Sequence, residues 1–115
     1  MQDAPTTGER LIRTLEAHGL TVRTLLSHHY DESRIVVDIE GGAEIRIADS
    51  QGLIDGWAEE HCGWTALYRP HGDRSDEGET PVYVSEGIRP TFERDTAALV
   101  AAVVQCADAR RLALA

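Results

Sequence analysis

The sequence contains no lysine and no asparagine, and only one methionine and one phenylalanine. All 11 basic residues are therefore arginine. Lysine and asparagine have AT-rich codons, whereas alanine, glycine and arginine have GC-rich ones. The usage points to a high-GC bacterial genome, or to a phage or mobile element living in one.

Cysteine is also scarce, with Cys62 and Cys106 alone. Two cysteines do not make a disulfide scaffold. A Cys62–Cys106 bridge stays open, although the expected compartment favours two reduced thiols. There is no Cys-x-x-Cys and no His-Glu-x-x-His, so no zinc motif is present. No glycine-rich phosphate loop is present either. No apolar run is long enough to span a bilayer, and residues 1–10 lack the apolar region of a secretory signal. The expectation is a cytoplasmic protein with no cofactor and no membrane contact.

Positive charge is the remaining shortage. The chain has 20 acids against 11 bases and a formal net charge of −9. Such a balance repels nucleic-acid phosphates and anionic lipid, and it attracts basic partners. Direct nucleic-acid binding is not expected.

What is present reads as one domain over residues 1–115, with a flexible end at 1–6 and an exposed acidic loop at 71–80. Thr6, Thr7, Gly8 and Glu9 have the spacing of a capping box. Leu11, Ile12 and Leu15 share a helical face, and Gly19 suits the left-handed residue that ends a helix. A helix over about 8–18 follows. Val22, Thr24 and Leu26 alternate in a strand between Leu20 and His29.

The clearest segment is a hairpin. Ile35, Val37 and Ile39 alternate, and so do Ala43, Ile45 and Ile47. A two-residue loop at Gly41-Gly42 would mix the faces. A three-residue loop at Glu40-Gly41-Gly42 pairs Ile39 with Ala43, Val37 with Ile45 and Ile35 with Ile47, so the hydrophobic pattern selects it. Asp38 then faces Glu44, a like-charge pair that Arg46 on the diagonal is placed to relieve.

Residues 49–63 read as a turn followed by a short helical turn or loop. Trp64, Ala66 and Tyr68 alternate in a strand ended by Pro70. Pro81 to Ser85 forms its partner strand. Thr91 is a candidate N-cap, and from there to about Arg111 the residues Leu99, Val100, Val103, Cys106 and Ala107 make one apolar stripe. The expected fold is α+β, in two layers. A mainly antiparallel five-stranded sheet carries the N- and C-terminal helices on one face, in the order α-β-β-β-loop/short α-β-β-α. That order, with the acidity, resembles the type III secretion chaperone fold.

The functional reading is a non-catalytic acidic binding or adaptor protein that engages a basic protein or peptide. A peptide-binding chaperone, or an inhibitor imitating nucleic-acid charge, would fit. Its candidate partner surface comprises Asp38, Glu44, Arg46, Trp57, Glu60 and Trp64: tryptophan is common at binding hot spots, and carboxylates seat a partner's arginine. The two tryptophans also suit plain core anchors. A second reading is a small metal-dependent or thiol enzyme using His61, Cys62 and one of His28 or His29. His28 and His29 point to opposite faces of a strand, so only one of them joins a given site. A third reading is a structural homodimer, joined through a sheet edge or the alanine-rich helix.

Overall fold

The computed structural model describes residues 6–27, 32–49, 54, 61–70, 79–85 and 91–114. The elements are α1 (Thr7–Ala17), β1 (Thr21–Ser27), β2 (Glu32–Ile39), β3 (Ala43–Asp49), β4 (Trp64–Arg69), β5 (Thr80–Val84) and α2 (Phe92–Leu114). The five strands form one antiparallel sheet in the order β1-β2-β3-β4-β5. The fold is α+β, as the sequence pattern implies.

Both ends of α1 are set locally. The Thr6 side chain accepts from Glu9 N–H at 3.2 Å, which satisfies one of the first-turn donors. At the other end Gly19 takes φ 83°. Its N–H reaches the Glu16 carbonyl at 2.9 Å, and Leu20 N–H reaches Leu15 at 3.3 Å. This is the paired bonding of a glycine-terminated helix, and Leu20 folds back against the core. Gly8 also sits where a side chain does not fit. Its N–H donates to the Ile54 carbonyl at 2.8 Å, and a Cβ there would lie 2.1 Å from the same oxygen.

The central hairpin has the register that the hydrophobic alternation selects. Ile39 pairs with Ala43, Val37 with Ile45 and Ile35 with Ile47. Gly41 and Gly42 carry the positive φ values, 90° and 87°, that the three-residue connection requires. These residues share the core with Leu11, Leu15, Trp64, Ala66, Phe92, Leu99 and Val103. Each of those helical residues packs on the same sheet face, so the helices form one layer and the sheet the other.

The edge strand β5 carries a bulge. Ala66 pairs with Tyr83 but Leu67 pairs with Pro81, which leaves Val82 as the extra residue. Pro81 has no N–H to offer a ladder, and an edge position tolerates that. Cys106 and Ala107, on the expected stripe of α2, are half-buried against the core. No helix among the described residues is long and apolar enough to cross a membrane.

Candidate functional site

The sheet face away from the helices carries the acid pair read from the sequence. Asp38 lies opposite Glu44. The repulsion is relieved chiefly by Arg23 of β1, a residue that spacing within the hairpin does not reveal. Arg23 Nε donates to both Asp38 carboxylate oxygens at 3.2 and 3.3 Å, and its Nη2 donates to Glu44 at 3.3 Å. Arg46 bonds Glu44, two residues back on its own strand, at 2.5 Å, rather than Asp38 across the diagonal. Glu44 is only 3% exposed. Two acids and two arginines therefore form a neutral ladder, and the pair is not an open seat for a partner's cation.

The two carboxylates differ in what they contribute. The Asp38 pair is solvent-exposed and adds well under about 1 kcal/mol. Glu44 sits between two arginines in a buried position, and reversing it crowds three cations there. Glu44→Arg is expected to lower stability by about 3 kcal/mol or more, and Asp38→Arg by about 1 kcal/mol or less. Urea unfolding of both variants checks this; equal losses would count against the ladder.

Trp64 is not on that face. It is fully buried among the helix-side residues, because its β4 position shares a face with Ala66 and Tyr68. Its indole Nε1–H donates to Thr96 at 2.9 Å. The surface expected to combine Trp64 with Asp38, Glu44 and Arg46 is therefore divided between two sides of the sheet. Trp57 and Glu60 lie outside the described residues, as do His28 and His29.

A second polar cluster lies beneath Trp64, and its centre is Asp95, in the first turn of α2. The Asp95 carboxylate accepts from His61 Nε2 at 2.6 Å, Tyr83 Oη at 2.5 Å, Ser85 Oγ at 2.6 Å and the Trp64 backbone N–H at 3.1 Å. Ser85 Oγ in turn accepts from Trp64 N–H at 2.6 Å. The cluster joins the sequence before β4, the end of β5 and the start of α2. Asp95 and His61 side chains are each 2% exposed. Burial pushes the Asp95 carboxyl up, but the hydrogen bonds from Ser85, Tyr83 and His61, with the His61 charge, outweigh it and hold the group below its ordinary 3.8. The positive end of α2 acts in the same direction.

These are residue types that do chemistry elsewhere, so their connectivity matters. A hydroxyl nucleophile needs its proton shared with a base. Here Ser85 and His61 each bond the same carboxylate, and Ser85 makes no bond to the imidazole. His61 is walled by Trp64 and Phe92, with ring centroids at 5.1 and 5.5 Å. The arrangement is a clamp: a buried anion whose lone pairs are filled by the elements it ties together.

Cys62 and Cys106 are not joined in a disulfide. Burial pushes the Cys106 thiol above its ordinary value, with Arg110 opposing, which disfavours the reactive thiolate. Among the described residues no three histidine, cysteine or carboxylate side chains converge as a metal site would require. His61 spends its Nε2 on Asp95.

Asp95 had one sequence signal. It precedes Leu99 by four residues and so continues the buried stripe of α2 as a carboxylate. Tyr83 and Ser85, two apart on a strand, share a face. Comparison with known proteins finds no protein family, curated protein or solved structure that matches this chain. The resemblance to type III secretion chaperones thus rests on element order.

Proposed function

We propose that this domain is a non-catalytic adaptor for a basic protein or peptide, and that the acid-rich sequence joining its elements performs the recognition. The observation that carries this is where the charge lies. The described residues hold 11 acids and 9 arginines, so most of the net −9 belongs to the remaining sequence. Within the described part, Asp38, Glu44 and Asp95 are already satisfied by partners.

Topology sets where part of this sequence leaves the sheet. Ser27 pairs with Glu32, Asp49 with Trp64, and Val84 with Thr65. The ends of β1, β3 and β5 therefore lie at one end of the sheet. The sequence leaving those ends contains Asp31, Asp55, Glu59, Glu60 and Glu86, against Arg89 as its only arginine. Trp57 stands among them in sequence, an amphipathic residue suited to a binding contact. A rigid sheet that carries recognition on its connections is a common division of labour.

Isothermal titration with an arginine-rich peptide tests the proposal. The triple variant Asp55→Asn/Glu59→Gln/Glu60→Gln is expected to bind about tenfold more weakly or worse, which is about 1.4 kcal/mol. Binding by the parent protein should weaken as salt rises. Asp38→Asn should bind like the parent. Unchanged affinity in the triple variant, with its fold intact by circular dichroism, would overturn the proposal.

A further inference from the structure

The two edges of the sheet are built differently. β5 is short, and Pro81 and the bulge at Val82 guard it; such devices keep an edge from pairing with another chain. β1 has neither. Its seven residues, Thr21–Ser27, pair with β2 in unbroken register. Among the described residues no strand lies on its outer side. Thr21, Arg23, Thr24 and Leu25 are all exposed, Leu25 to 39%. Thr24 shares a sheet face with Val22, which packs against the helix-side core. Its exposure means that the helical layer does not overhang the edge there.

An open edge offers a row of backbone N–H and carbonyl groups, and the occupant that satisfies them is another strand. The charge that would repel one is already spent. Arg23 is the only charged residue of β1, and its guanidinium reaches inward to Asp38 and Glu44. The edge is neutral, so it does not select the basic ligand proposed above.

What it matches is its own reverse. When two copies of β1 lie antiparallel about a two-fold axis at Thr24, Thr24 meets Thr24 of the other copy and Thr21 meets Ser27. Val22 then stands opposite Leu26. Leu25 lies against the aliphatic stem of Arg23, whose charged head is turned away. Hydroxyl faces hydroxyl and apolar faces apolar, pairings that stabilise a ladder. An axis at Arg23 would oppose two arginines, and an axis at Leu25 would leave Thr21 and Val22 outside the β1 pairing. The antiparallel sense also suits a chain of net charge −9. Acid-rich sequence leaves the sheet at the Ser27 end. The two Ser27 ends lie about 20 Å apart along the strands at about 3.3 Å per residue, about twice the screening length in physiological salt.

We infer that the open edge of β1 pairs with β1 of a second copy of this chain, joining two five-stranded sheets into one continuous sheet about a two-fold axis at Thr24. An interface of this type is self-complementary by symmetry. The inference does not rest on the basic-partner proposal.

Sedimentation equilibrium from about 5 to about 500 µM decides it. The parent chain is expected to approach twice its 12.6 kDa mass. Because Thr24 meets its own image, Thr24→Lys and Thr24→Glu each place like charges directly opposite, and each should be monomeric. Mixed in equal amounts, the two should associate at least about tenfold more tightly than either does alone. Val84→Lys, on the other edge, should associate like the parent. Thr24 and Val84 are exposed, so these variants should keep the parent's circular dichroism. In the parent itself, β1 amides should exchange more slowly at the high concentration than at the low one. A parent chain that stays monomeric throughout, or β1 exchange that does not change with concentration, overturns the inference. So does a mixture no better than either Thr24 variant alone, or a dimer lost in Val84→Lys.

Discussion

Replacing Asp95 by alanine is expected to remove about 3–5 kcal/mol of stability, the loss typical of breaking a buried charge network. Its four donors, from His61, Tyr83, Ser85 and the Trp64 backbone, lose their shared acceptor at once. Each donor left buried without a partner costs about 1–3 kcal/mol, although rearrangement recovers part of that. Small domains hold about 5–15 kcal/mol in total, so Asp95→Ala is expected to remove a large share of that margin.

Asp95→Asn keeps the shape, loses the charge, and replaces one acceptor oxygen by a donor. Its loss should fall between those of the parent and the alanine variant. It also isolates the pH dependence. The folded-state value of Asp95 lies below 3.8, while the unfolded chain titrates near its ordinary value. The group's contribution is therefore present above that ordinary value, and is lost as pH falls through the folded value. Urea midpoints measured from neutral pH downward should show the parent losing more stability than Asp95→Asn at the acid end. Parallel curves would mean that the carboxylate adds nothing through its charge.

Trp64→Ala is the second large effect, at about 3–5 kcal/mol. The side chain is fully buried at the junction of β4 and α2, and its removal also strips Thr96 of its indole donor. Trp64→Phe retains much of the buried area and should cost roughly 1–3 kcal/mol through the lost hydrogen bond and volume. Because Trp64 and Asp95 touch, the double variant should fall short of the summed losses, and a double-mutant cycle measures by how much. A Trp64→Ala protein with parental stability would place the residue on the surface, where a binding hot spot belongs.

How far these features are legible in the sequence depends on the range of the interaction. The β2–β3 register follows from local alternation, because a one-residue slip puts Ile35, Val37 and Ile39 on the wrong face. The start and end of α1 follow from Thr6, Glu9 and Gly19, all within a turn of the helix termini. Trp64 alternates with Ala66 and Tyr68, but alternation does not say which side of the sheet faces the helices, and so it leaves the choice between hot spot and core open. Arg23 becomes partner to Asp38 and Glu44 only once β1 is known to pair with β2. Asp95 meets Tyr83, Ser85, Trp64 and His61 from 10 to 34 residues away in sequence. No periodicity within one element brings those groups together; only the docking of α2 on the β4–β5 edge does.

On the proposed reading, that division also separates scaffold from recognition. The Asp38–Glu44 and Asp95 clusters are occupied by their own partners, and most of the surplus negative charge belongs to sequence outside the described residues. The most direct measurement is residue-resolved amide chemical shifts on titration with an arginine-rich peptide. The account predicts that the perturbed amides fall in 28–31, 50–60 and 86–90, with the β2–β3 face and the Asp95 cluster unmoved. Perturbations centred on Asp38 and Arg46, or on His61 and Ser85, would contradict it.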